Sequence, residues 1–179
     1  MTSEPIPPPS SDDMNAHNVL LVVDAESLLS RYQDPSLDAE NPTSISDELI
    51  LFVVGDISKE TVTNDSKIKL PGKIGRDIHF RGRTVSLIAE HSVVIYSMTV
   101  DTDTVLSVPH LQVHPDLTIP APQPDAPTEP GSQKAHDHYW ASTPKAPGKV
   151  EFELRLMLIN QRCEAAGYFK WVVEVEVAV

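Results

Sequence analysis

The chain has 179 residues, with 14 Lys and Arg against 26 Asp and Glu, and a formal net charge of −12. This length suits one domain. The acidic excess argues against nucleic acid and anionic membranes as partners, because both are bound through clustered basic side chains.

The first segment, MTSEPIPPPSSDDMNAH, is polar, acidic and rich in proline. It has too few apolar residues to offset the entropy of ordering, so residues 1–17 are predicted to be a disordered N-terminal segment. Residues 18–179 are predicted to form a single domain. The segment lacks the basic start and apolar stretch of a secretory signal. Because Cys163 is the only cysteine, no intrachain disulfide can form. We therefore expect a cytoplasmic protein.

Residues 18–32, NVLLVVDAESLLSRY, are predicted to form a strand and then a short helix near residues 25–32. Asp24 lies between the two. An aspartate there accepts hydrogen bonds from the first helical turn, and Glu26 suits the same positive end. A catalytic Asp24 would need a phosphate-binding GxxxxGK[ST] motif or a second aspartate two residues on, and the sequence has neither. Asp24 is therefore predicted to be a structural helix cap.

Alternating apolar and polar residues predict strands along much of the remaining chain. VEFELRLMLIN, residues 150–160, places every second residue on an apolar face, and the segment from Phe169 to Val177 repeats the pattern. Shorter β-rich runs are ELILFVVG, DIHFRG, TVSLIA, SVVIYSMTV and TVLSVP. With NVLLVVD they make about eight strands, which favours a mostly β, two-sheet antiparallel sandwich with one short helix.

Residues 115–148 are rich in proline, which lacks a backbone donor for a sheet. They are predicted to form a long loop. Tyr139 and Trp140 are two amphipathic rings in this polar stretch, and either they fold back against the core or they form a stacking platform for a sugar or a partner.

Two further groups of residues could bind ions. His136 and His138, in AHDHYW, could bind zinc or nickel, although short histidine tracts are also common in solvated loops. Asp34, Asp38 and Asn41, in QDPSLDAENPT, offer oxygen ligands for calcium or a sugar, but the spacing of an EF-hand is absent. Calcium is thus a possible cofactor of this loop.

Motifs for nucleophilic catalysis are missing. There is no GxSxG motif, and Cys163 has no histidine near it in the sequence. We therefore predict that the protein is not an enzyme.

The quoted segments resemble the PixA/AidA inclusion-body protein family. The resemblance covers most of residues 18–179. It includes NVLLVVDAESLLSRY with DPSLDAENPTSI, the segment from Gly72 to Gly82, SVVIYSMTV, and the closing EFEL and GYFKW segments. It implies a small bacterial cytoplasmic β-sandwich without catalytic residues. The inclusion-forming members are rich in methionine, whereas this chain has 4 Met.

Two functions remain open at this stage. The first is a non-catalytic protein that acts by self-association, most simply as a dimer, or by partner binding. The alternative is a lectin-like carbohydrate-binding module, calcium-assisted, in which Tyr139 and Trp140 act together with Asp34, Asp38 and Asn41. Neither function involves nucleic acid or a membrane.

Overall fold

A computed structural model of the chain describes residues 16–46, 49–55, 62–63, 67–71, 74–86 and 90–178. Residues 1–15, most of the N-terminal segment that is predicted to be disordered, lie outside these ranges. His17, the last residue of that segment, begins the first strand, and its side chain is only 3% exposed. No helix within the described ranges is long and apolar enough to cross a membrane.

The described residues contain one helix, α1 (Ala25–Arg31), and eleven strands. The strands are β1 (His17–Val23), β2 (Thr43–Ser44), β3 (Ile50–Gly55), β4 (Val62–Thr63), β5 (Lys67–Pro71), β6 (Ile78–Thr84), β7 (His91–Val100), β8 (His110–Gln123), β9 (Ala126–Ser142), β10 (Gly148–Asn160) and β11 (Ala165–Ala178).

The strands form two sheets. Sheet A has the order β4-β3-β1-β6-β9-β8, and sheet B has the order β2-β11-β10-β7, with β5 also paired to β11. Three pairings are parallel: β1 with β6, and β11 with both β2 and β5. The sheets are therefore mixed, which corrects the predicted antiparallel arrangement. Side-chain alternation indicates which face of a strand is buried but does not reveal the direction of a distant partner.

The two sheets pack together through their apolar faces. In β10, Phe152, Leu154 and Leu156 are at most 1% exposed, as is Trp171 of β11. Phe80 of β6 meets Phe152 across the core, with 5.5 Å between ring centroids. Burying each such side chain contributes about 1.5–3 kcal/mol. The predicted mostly β, two-sheet fold with one short helix is confirmed, although the number of strands is larger than predicted.

The proline-rich stretch is not the loop that was predicted. It contains most of β8 and β9, which pair with each other as a long antiparallel hairpin. Only Trp140–Ser142 of β9 pair with β6, so most of the hairpin extends past the end of β6. We call residues 110–142 the arm.

Proline is tolerated in the arm because of where it lies. Pro115 falls in a bulge between His114 and Leu117, where the ladder is interrupted. Pro120 and Pro122 lie in β8, which pairs with no described strand other than β9. A missing backbone donor on the outer side of such an edge strand breaks no hydrogen bond.

Candidate functional site

The first turn of α1 contains two carboxylates with different roles. Asp24 is the N-cap residue, and its Oδ1 accepts a hydrogen bond of 3.1 Å from the backbone N–H of Ser27. This is the structural role predicted for it. The same turn brings Glu26 to β7, where its Oε1 lies 2.9 Å from Nδ1 of His91.

Glu26, Glu90 and His91 form a cluster of groups that can bind metal. Each offers one ligand atom, and these atoms all lie within 4.8 Å of one another. Glu26 and His91 are half-buried and Glu90 is exposed. The backbone at His91 is fixed by Thr84, whose Oγ1 donates a 2.9 Å hydrogen bond to the carbonyl of His91.

A shallow cleft of about 350 Å³, wide open to solvent, adjoins this cluster and is lined by Glu90, His91, Asn160, Gln161 and Arg162. Asn160 pairs with His91 in the ladder between β10 and β7. Its Oδ1 accepts hydrogen bonds from the backbone N–H groups of Arg162 and Glu164, at 2.9 and 3.1 Å. One wall of the cleft is therefore a hydrogen-bonded turn rather than a loose loop.

At the base of the arm, the ring of Tyr139 stacks with two histidines, His79 and His114. Its ring centroid lies 4.0 Å from that of His79 and 5.6 Å from that of His114. The guanidinium carbon of Arg81 lies 4.4 Å from the same centroid. Tyr139 is only 6% exposed, so it is a packed ring and not an open platform.

Arg81 also pairs with Asp137 of β9. Its Nη2 and Nε donate to Oδ2 of Asp137 at 2.9 and 3.2 Å, and its Nη1 donates to Oδ1 of Asn18 at 2.8 Å. Burial alone would raise the pKa of Asp137, but the hydrogen bonds and charge of Arg81, with the charge of Arg83, lower this pKa below its usual value. The pair joins β9, at the base of the arm, to β6.

Trp140 lies on the opposite side of β9 from Tyr139. Its Nε1 donates a 2.9 Å hydrogen bond to the carbonyl of Ile95, and the ring packs against the core. The two rings therefore cannot form one stacking surface. Tyr139 is buried and Trp140 packs against the core, so both rings are part of the packed fold.

The acidic loop, QDPSLDAENPT (residues 33–43), lies against sheet B and is hydrogen-bonded internally. Asp38 accepts from Nδ2 of Asn41 at 2.7 Å and from the backbone N–H of Glu40 at 2.9 Å. These hydrogen bonds lower the pKa of Asp38. Tyr168 of β11 donates its backbone N–H to Ser36, which ties the loop to sheet B. Asp34 is exposed in the same loop. The loop and Tyr139 are thus attached to different sheets.

His136 and His138 lie two residues apart in β9, so they share one face of the arm. His136 is exposed and His138 is half-buried. Within the described part of the chain, neither belongs to a group of three possible metal ligands, whereas Glu26, Glu90 and His91 do.

The arm carries exposed apolar side chains. Leu111 is 46% exposed, Val113 59% and Leu117 37%. Leu111 and Val113 lie opposite Trp140 and His138 in the ladder. They therefore lie on the same face of sheet A as Trp140, which packs against the core.

Sequence reasoning missed both the arm and the cluster at His91. Glu26 was considered only as a helix residue, and the other two residues of the cluster lie more than 60 residues further along the chain. The sequence signal was a Glu-His pair, Glu90 and His91, directly before the apolar run SVVIYSMTV. No local spacing rule connects that pair to Glu26.

The comparisons with known proteins agree with the fold. A sequence model of the PixA inclusion body protein family matches residues 15–177. The crystal structure of an inclusion body protein of the PixA family from Burkholderia cenocepacia J2315 is similar, with a TM-score of 0.76 at 19% identity. The similarity covers 92% of this chain and 96% of that one. No curated protein matches the sequence. Since the family match extends over most of its length, the chain belongs to the PixA inclusion body protein family.

Proposed function

We propose that this protein is a non-catalytic cytoplasmic protein that acts by self-association, most simply as a two-fold dimer. The main observation that supports the proposal is the way in which the arm extends from the rest of the fold. The arm is a ribbon of two long strands, and among the described strands its one pairing partner outside the ribbon is β6, which it meets at its base. An ordered ribbon of this kind needs a surface to pack on, and a second copy of the chain would provide one.

The arm has little to stabilise it within one chain. An isolated two-stranded hairpin is marginally stable at best in water. β8 has 14 residues, which corresponds to roughly 45 Å at ~3.3 Å per residue. Among the described side chains of residues 110–138, none is fully buried. Packing against another molecule would bury Leu111 and Val113 and supply the missing stabilisation.

The proposed contact uses a face of the arm and not its edge. Pro115, Pro120 and Pro122 interrupt the row of backbone donors along β8. Prolines on an edge strand prevent open-ended pairing with further strands. Two arms packed face to face through side chains would form a closed dimer, whereas edge-to-edge pairing would generate a continuous sheet.

Charge also favours a contact through this face. The chain carries a net charge of −12, so two copies repel each other wherever acidic groups meet. Leu111, Val113 and Trp140 form an uncharged area at the arm base, next to His138. Contact there would keep the acidic groups at the rim, where water and salt screen them.

Light scattering on size-exclusion fractions tests the proposal. We expect the wild type to be a dimer at high micromolar concentration. The double variant Leu111→Lys/Val113→Lys should be a monomer, because it places two charges in the contact. Leu37→Lys is the matched control, since Leu37 is 69% exposed in the loop before β2, and it should remain a dimer. A wild type that stays monomeric, or a double variant that still dimerises, would contradict the proposal.

The lectin-like alternative has weaker support. It required Tyr139 and Trp140 to form one platform near Asp38 and Asn41. The rings lie on opposite faces of β9, and the side chains of Asp38 and Asn41 are hydrogen-bonded to each other. Thermal unfolding with calcium and simple sugars checks it: the alternative would return if a sugar at ~100 times its Kd added about 2.7 kcal/mol to stability.

A further inference from the structure

We propose that Glu26, Glu90 and His91 bind one divalent transition-metal ion beside the cleft formed by the end of β10. The proposal is independent of self-association, because the three residues lie on α1 and at the start of β7 and not on the arm.

The geometry suits a single ion. Metal–ligand bonds to histidine nitrogen and carboxylate oxygen are about 2.0–2.2 Å, so the ligand atoms around one ion lie roughly 3–4 Å apart. In this structure the three ligand atoms lie within 4.8 Å of one another. The Glu26 oxygen and the His91 nitrogen are already 2.9 Å apart. Small side-chain rotations would complete the set, and exposed Glu90 has room to make one.

The ligand types indicate the class of metal. An imidazole with two carboxylates suits zinc, manganese, iron, cobalt or nickel, whereas calcium takes oxygen ligands alone. The two carboxylates and a neutral imidazole carry two negative charges, which a divalent cation would neutralise. Without a cation the two carboxylates repel each other at this short distance.

The ligands are attached to fixed parts of the fold. Glu26 is held by the capped first turn of α1, and Leu28 anchors this helix in the core at 0% exposure. The backbone at His91 is fixed by the hydrogen bond from Thr84. Three protein ligands leave at least one coordination position open. Because Glu90 and His91 also line the cleft, that position adjoins a space in which water or a small anion could bind.

The competing explanation is an ordinary ion pair. Protonated His91 would pair with Glu26, and Arg162, which lines the same cleft, would neutralise Glu90. The two explanations differ in what an added metal does. A metal site binds one ion per chain in a saturable way and needs Glu90, whereas an ion pair binds none.

Titration of the EDTA-treated full-length protein with cobalt(II) and with zinc tests the proposal. Cobalt is followed by its visible absorption and zinc by calorimetry. We expect one ion per chain, and roughly tenfold or greater weakening of binding in Glu90→Gln and in His91→Gln, as loss of metal-site groups usually causes. Because Glu90 is exposed, Glu90→Gln leaves the fold intact even if His91→Gln does not.

The double variant His136→Gln/His138→Gln is the matched control and should bind with unchanged affinity. Lack of saturable binding by the wild type would overturn the proposal. So would unchanged binding in Glu90→Gln, or loss of binding in the control variant.

Discussion

Replacing Arg81 with Met should destabilise the protein by about 2–3 kcal/mol. Arg81 makes three hydrogen bonds to Asp137 and one to Asn18, and it lies over the ring of Tyr139. Met keeps most of the aliphatic volume and removes the charge. The change therefore isolates the polar contacts that attach β9, at the base of the arm, to β6.

The magnitude follows from the exposure of the pair. The side chains of Arg81 and Asp137 are 25% and 19% exposed, so solvent screens them only in part. Hydrogen bonds to charged groups contribute about 1.5–3 kcal/mol, and partial exposure places this pair near the lower end. The cation–π contact adds roughly 0.5–1 kcal/mol. Asp137 would also lose its partner while still partly buried.

Urea unfolding of the four proteins of a double-mutant cycle, with Arg81→Met and Asp137→Asn, measures the effect. We expect a coupling energy of about 1 kcal/mol or more between the two sites. Lys149→Met is the control, because the pair Lys149–Glu174 is 57% and 38% exposed, so water screens it and its loss should affect stability less than the loss of Arg81 does. A loss in Arg81→Met no larger than in the control, or a coupling energy below ~0.5 kcal/mol, would refute the reasoning.

Two further predictions concern single carboxylates. Because the folded-state pKa of Asp137 is lowered, its contribution to stability is present above the unfolded-state pKa of ~3.9 and is lost as the pH falls through the folded-state pKa. The stability difference between the wild type and Asp137→Asn, measured by urea unfolding, should therefore shrink below about pH 4, and a constant difference would contradict the lowered pKa. Asp24→Ala should cost about 1 kcal/mol through loss of the cap to Ser27, while Asp24→Ser should cost little; equal losses in both variants would argue against capping.

The sequence predicted those parts of the fold in which one face of a strand is buried. In β10 and β11 every second residue enters the core, so the period of two is visible. The short helix was recognisable from Asp24 at its start. In each of these elements the local pattern and the tertiary environment impose the same constraint.

The arm could not be predicted in the same way. Along most of its length neither face enters the core, so selection for burial leaves no alternation to detect. Its prolines then favoured a loop, because proline is excluded from central strands but not from an outer edge. The parallel pairing of β1 with β6 joins segments that are far apart in the chain, and side-chain alternation does not reveal the direction of such a distant partner.

Only part of the candidate site could be predicted from the sequence. Asp24 could be assigned from its position alone, because capping depends on neighbours in the chain. The sequence did not show that Tyr139 and Trp140 lie on opposite faces. Adjacent residues point to opposite faces in a strand, but this segment was predicted to be a loop. The cluster of Glu26, Glu90 and His91 depends on how α1 packs beside β7, which is a property of the whole fold.

The position of β11 has a consequence for how the chain is made. Its partners β2, β5 and β10 all precede it in the sequence, and β11 lies between them in sheet B. During synthesis these three strands leave the ribosome before the strand that joins them. Until β11 has paired, the edge of β10 that it will occupy is open, and such an edge recruits strands from other chains. A chain that has folded except for β11 would therefore be the form most prone to aggregate.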